Sequence, residues 1–195
     1  MYSTRRSLIR RGTALVAAGT LVGSRLFAPS PVRAQGAAGL PMPGVKALVF
    51  DTFGTVVDWR NGVAREAERI LKPMGYDLDW LAFAEAWRKE YGPSMEEVRA
   101  GRRPFVKLDI LHRENLDRLL ARFKLEKLTE PTLDELNLAW HKLDAWPDVP
   151  PGMKRLKRKY MLAPVSNGNI SLMVDLARRN DIPWDAILGD RKSVV

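Results

Sequence analysis

The chain has 195 residues, 46% of them hydrophobic, with 32 Lys and Arg against 23 Asp and Glu and no cysteine. That length fits one ordinary domain, or one domain with an insertion, and the missing cysteines exclude both a disulfide framework and a thiolate metal site. The formal charge of +9 does not argue for a nucleic-acid partner. Six arginines (Arg5, Arg6, Arg10, Arg11, Arg25 and Arg33) lie in residues 1–34, which hold no Lys, Asp or Glu, and without them the charge falls to +3.

The chain opens with Thr4-Arg5-Arg6-Ser7-Leu8-Ile9-Arg10, which resembles a twin-arginine export signal. A moderately apolar segment from Thr13 to Gly23 follows, too short to span a bilayer comfortably. Val32-Arg33-Ala34 has the small residues of a cleavage site. Residues 1–34 are therefore expected to be a signal peptide and the mature protein periplasmic, with no stable membrane anchor after cleavage. Residues 35–44 are rich in Gly and Pro and read as a linker.

Val45-Lys46-Ala47-Leu48-Val49-Phe50 is a short apolar run ending abruptly in Asp51. Its continuity, without alternation, predicts a parallel strand buried on both faces. Asp51 then stands at the strand's carboxyl end, where open α/β sheets place their ligand sites. From Asn61 to about Asn137 the pattern turns helical. Val63, Ala67, Ile70 and Leu71 form one apolar face, closed by Lys72-Pro73-Met74-Gly75. Asp79 is placed to cap a second helix carrying Trp80, Phe83, Ala84, Trp87 and Tyr91 on one side. Ser94-Met95-Glu96-Glu97 and Thr132-Leu133-Asp134-Glu135 are capping-box patterns that predict new helix starts. Leu108 to Phe123 makes another amphipathic helix. His112 and His141 fall on predicted helices with no partner at metal-ligand spacing, and read as surface or packing residues.

A Pro-rich stretch, Trp146-Pro147-Asp148-Val149-Pro150-Pro151-Gly152, leads to a predicted helix over Met153–Lys159. A second apolar run, Met161 to Val165, ends in Ser166-Asn167-Gly168 and is followed by a helix over Ile170–Arg179. The serine hydroxyl and asparagine amide are hydrogen-bond donors at a second strand end, suited to a carboxylate beside Asp51. Ile182 to Gly189 carries the signal of a third strand.

Together, Asp51-Thr52-Phe53-Gly54-Thr55, a long helical insertion and a strand ending in Ser166-Asn167-Gly168 resemble the haloacid dehalogenase superfamily. The phrase Phe50 to Trp59, with Phe53 where the superfamily's phosphatases carry a second Asp, is similar to its type II (L-2-haloacid) dehalogenases. A halide leaves as a stable anion and needs no proton, so such an enzyme can do without that acid.

The resemblance implies an α/β fold: a Rossmann-like core with an inserted α-helical cap. It divides the chain into a first core segment (45–59), the cap (60–145) and a second core segment (146–195). It implies hydrolytic dehalogenation of short 2-haloalkanoic acids to 2-hydroxy acids through an aspartyl ester on Asp51. Thr55, Ser166 and Asn167 would orient the nucleophile and substrate, while Arg88 and Phe105 would line the substrate pocket. The partners implied are a small 2-haloacid and water, with no nucleic acid, no cofactor and no metal; a homodimer is the family expectation. Two other readings stay open: a magnesium-dependent phosphatase of the same superfamily, and a non-catalytic exported binding protein. The resemblance spans about residues 45–189. The family's later Lys phrase and fourth motif have no counterpart, so the core is expected to be incomplete at its C-terminal side. Residues 190–195 are expected to be foreign, since they match the translation of a common sequencing adapter.

Overall fold

A computed structural model describes residues 44–188. The expected signal peptide and nearly all of the linker lie outside the described residues, as do residues 189–195. Contacts divide the chain at Val45; the described residues from Lys46 on form a unit of their own, and it carries every element below.

Among the described residues the sheet has two strands. β1 (Ala47–Phe50) pairs in parallel with β2 (Met161–Pro164), in the register Ala47 to Met161 and Phe50 to Pro164. Met161 N donates to Lys46 O at 3.0 Å and Val165 N to Phe50 O at 2.8 Å. A parallel pair needs a crossover, and here the crossover contains five helices: α1 (Trp59–Leu71), α2 (Trp80–Arg99), α3 (Leu108–Phe123), α4 (Glu130–Asn137) and α5 (Val149–Leu156). α6 (Ile170–Asn180) follows β2.

The expectation that β1 is buried on both faces is corrected. Val49 is 63% exposed and Ala47 is also open to solvent. A continuous apolar run predicts burial only where something covers both faces, and among the described residues β2 is the one strand paired with β1. Nor do residues 182–188 form a strand. Asp185 alone clasps the outer edge of β2: its amide donates to Leu162 O at 2.8 Å, and its carboxylate accepts from Leu162 N at 2.7 Å.

α1 starts where Asp58 accepts from Asn61 N at 3.2 Å, and it ends in a 3-10 turn (Lys72–Met74) closed by Gly75 at φ 90°. Its predicted face, Val63, Ala67, Ile70 and Leu71, is buried. Gly62 lets α1 approach Leu143 closely: a Cβ there would lie 2.7 Å from Leu143 Cδ2 and 3.3 Å from its Cα. On the same helix Glu66 is nearly buried. Burial would push its carboxyl up, but hydrogen bonds and charge from Arg69 and Arg65 outweigh this and hold it below the usual carboxylate range.

α2 is capped by Asp79, which accepts from Ala82 N at 2.9 Å. It then runs through Pro93, so no new helix begins at Ser94. The reason is tertiary. Ser94 Oγ donates to Asn115 Oδ1 at 2.6 Å and accepts from Arg118 at 2.9 Å, so its hydroxyl joins α2 to α3 instead of capping. α4 has its cap position three residues earlier than the predicted box, at Thr129 instead of Thr132, with Pro131 in the first turn, a position that requires no amide hydrogen. The same tolerance lets α5 begin at Val149, ahead of Pro150 and Pro151.

The core gathers around Trp140, in the 3-10 turn after α4 (Leu138–His141). Phe53, Trp59, Trp87 and His112 all pack their rings against it, at centroid distances of 4.3–6.3 Å. Both histidines are buried, not at the surface. Among the described residues no helix is long and apolar enough to cross a membrane.

Candidate active site

The loop after β1 is built to hold its shape. Thr52 O accepts from Val56 N at 2.9 Å and Val57 N at 3.1 Å, and Gly54 N donates to Val57 O at 2.9 Å. Gly54 sits at φ 89°, a conformation L side chains rarely adopt. The segment returning to the core pins the loop from outside. Asp58 N donates to Asp144 O at 2.9 Å, Trp146 N to Val56 O at 3.1 Å, and Trp146 Nε1 to Gly54 O at 3.2 Å. The re-entry is itself held by Asn180, whose amide accepts from Ala145 N at 2.7 Å and donates to Leu143 O at 2.9 Å.

Within this frame Asp51 is exposed at the end of β1, and Thr55 Oγ1 donates to its Oδ2 at 2.9 Å. Asp51, Ser166 and Asn167 line one cleft of about 290 Å³, whose walls are otherwise apolar and include Val49, Val165 and Leu188. Ser166 Oγ accepts from Gly168 N at 3.1 Å, which leaves the hydroxyl proton available to donate outward. Asn167 Nδ2 donates to Tyr91 Oη at 2.6 Å. Tyr91 in turn underlies Arg88, whose guanidinium carbon lies 4.2 Å from the Tyr91 ring centroid and 5.9 Å from that of Trp59.

The sequence-predicted residues thus fall into three groups. Asp51, Thr55, Ser166 and Asn167 share one strand-end site. Arg88 joins it through Tyr91 and Asn167. Phe105 does not line the cleft; it is 40% exposed in the loop before α3. Tyr91 reads from sequence as a core residue of the α2 stripe. Its spacing of three from Arg88 puts both on one helix face, the signal that could have marked it.

A second polar cluster went unread in the sequence. His141 Nδ1 lies 2.8 Å from Asp175 Oδ2, and its Nε2 lies 3.2 Å from Asp109 Oδ1. Asn169, next after the Ser166–Gly168 turn, donates to Asp109 Oδ2 at 2.7 Å. His112 is fully buried and stacks on Trp140 at 4.3 Å; burial, only partly offset by the Asp109 charge, pushes its imidazole down to about 3. Among the described residues no group of three or more His, Cys, Asp or Glu is arranged to hold a metal ion.

Comparison with solved structures agrees with this geometry. A defluorinating L-2-haloacid dehalogenase is 48% identical over 74% of this chain and 60% of its own, with a TM-score of 0.72. A second L-2-haloacid dehalogenase is 41% identical over 75% of this chain and 62% of its own, with a TM-score of 0.71. The L-2-haloacid dehalogenase of Xanthobacter autotrophicus, solved with chloropropionic acid covalently bound, is 25% identical over 74% of this chain and 56% of its own, with a TM-score of 0.64. No family model and no curated protein matches the chain. The fold and these likenesses place the chain in the haloacid dehalogenase superfamily. Within it, the resemblance is to the L-2-haloacid dehalogenases, and the chain spans about three fifths of their length.

Proposed function

We propose that the chain carries the nucleophile half of a hydrolytic 2-haloacid dehalogenase. Asp51 Oδ attacks C2 of the haloacid, the new C–O bond forms as the carbon–halogen bond breaks, and halide leaves with the bonding pair. Water then adds to the ester carbonyl. The carboxylate of Asp51 returns, and a 2-hydroxy acid of inverted configuration leaves. Thr55 orients the attacking carboxylate, Ser166 and Asn167 meet the substrate carboxylate, and Arg88 supplies positive charge on the Tyr91 side.

The observation that carries this reading is the hydrogen bond from Thr55 to an exposed Asp51 across the cleft from Ser166 and Asn167. The covalent chloropropionic acid adduct of the Xanthobacter relative supports the ester intermediate. Phe53 supports a halide leaving group over an alcohol. Its ring packs edge-on to Trp140 at 6.0 Å, so no acid stands two residues after Asp51 to protonate an alkoxide. The arginine pair at Arg5 and Arg6 supports export to the periplasm, which a fusion of residues 1–44 to a reporter would test by its compartment.

The direct experiment is halide release from the two enantiomers of 2-chloropropionate. Release from the L enantiomer, with Asp51→Asn inactive, is the expected result. Release from a phosphate monoester instead would overturn the reading in favour of the phosphatase.

A further inference from the structure

Asp175, His141, Asp109 and Asn169 form a ring of contacts that starts and ends on α6. Asp175 lies in the second turn of α6, and Asn169 occupies its cap position. His141, in the 3-10 turn after α4, and Asp109, in the first turn of α3, close the ring from outside. Both imidazole nitrogens face carboxylate oxygens, Asp175 Oδ2 at 2.8 Å and Asp109 Oδ1 at 3.2 Å. Ionised carboxylates only accept hydrogen bonds, so both ring nitrogens must donate, which requires the imidazolium. The other oxygen of Asp109 takes the Asn169 amide at 2.7 Å. Asn169 is 3% exposed, and its side chain makes no capping bond to α6 because its amide is directed to Asp109 and to Ser171 Oγ at 2.7 Å. It directly follows the Ser166-Asn167-Gly168 turn that lines the cleft with Asp51.

We propose that Asp109 and His141 are positioning residues: through Asn169 they fix the Ser166–Gly168 turn beside Asp51, and loss of the His141 proton releases it. The role in catalysis rests on the dehalogenase reading; the linkage of His141 to the turn does not.

The electrostatics agree in sign. Burial opposes the charge on His141, but hydrogen bonds and charge from Asp109 and Asp175 outweigh it and raise the imidazole above its ordinary value. Asp109 is shifted the opposite way: burial pushes it up, and His141 and the Asn169 hydrogen bond hold it down. Arg88 acts on the neighbouring His112, where its charge helps keep the imidazole neutral. The clamp is therefore complete below the ordinary histidine value of about 6.5 and is lost as pH rises through the raised one.

The test follows the His141 ring nitrogens, the Asn169 side-chain amide and the Gly168 backbone amide of the labelled chain by NMR across pH. His141 is expected to titrate above its ordinary value, with the two amides shifting at the same midpoint. His141→Gln removes the amide titration. Asp175→Asn, at an exposed carboxylate, keeps the fold and moves all three midpoints together to lower pH. Amides that stay fixed while His141 titrates, or a His141 neutral throughout, overturn the proposal. Co-titration without halide release would sink the dehalogenase reading and leave the linkage standing. Halide release without co-titration would sink the positioning role alone.

Discussion

The helical insertion and the two-stranded sheet of this chain are opposites. In the insertion Trp87 and Trp140 are each 1% exposed, ringed by aromatic contacts and cross-linked by buried polar pairs such as Ser94 with Asn115. In the sheet Val49 is 63% exposed and Met161 59%, and Val165 just past β2 is 50% exposed, although β1 and β2 are among the most apolar stretches of the chain. The insertion buries most of its large apolar side chains, leaving Met74, Phe105, Ile110 and Leu138 among the exposed ones. Among the described residues, the sheet does not. Yet the candidate chemistry sits on the sheet, at the ends of β1 and β2. These ends are held from behind, by Tyr91 on Asn167 and Asp109 on Asn169 from the insertion and by Trp146 on Gly54 from the returning segment.

If that contrast is right, damage to the insertion costs far more stability than damage to the sheet surface. Trp140→Ala removes the ring that four others contact, and is expected to cost about 3–5 kcal/mol; urea unfolding would measure it. Acid should act on the same half. His112 titrates lower folded than unfolded, so the unfolded state binds the extra proton between about pH 6.5 and 3 and stability falls as pH falls. Roughly 3 kcal/mol is lost between pH 7 and pH 4. His112→Phe keeps a ring against Trp140 and should flatten that acid limb in unfolding curves taken at both pH values.

Smaller effects sharpen the comparison. Gly62→Ala drives a methyl onto the Leu143 side chain, with its Cα close behind, and should destabilise by about 1–3 kcal/mol, seen as a lower Tm. Val49→Lys changes an exposed position on β1 and should shift stability by less than about 0.5 kcal/mol. It should also reduce self-association, because a charge on an open strand blocks edge pairing; light scattering would show it. A large loss of stability at Val49 would mean that the sheet face is covered after all.

Local periodicity made much of this legible. The apolar face of α1, the Asp79 cap, the extent of α3 and the two apolar runs that become β1 and β2 are all visible in the sequence. What it hid was set by distant partners. Ser94 reads as a cap until Asn115 and Arg118 are beside it. The length of an apolar run gives no sign of whether both faces are covered, so β1 reads as buried. At the site, Asp51, Ser166 and Asn167 follow apolar runs that read as strands, and it is the resemblance to the superfamily's motifs that singles them out together with Thr55. Asp109, His141 and Asp175 were not legible. They lie 32 and 34 positions apart, on three separate elements, and no local pattern marks them.

The most direct test of the central claim is mass spectrometry of the chain quenched while turning over L-2-chloropropionate. The account predicts a 1-carboxyethyl ester, joined through C2 of the substrate, on the peptide containing Asp51, absent in Asp51→Asn. An unmodified Asp51 peptide, or halide release that survives Asp51→Asn, would contradict it.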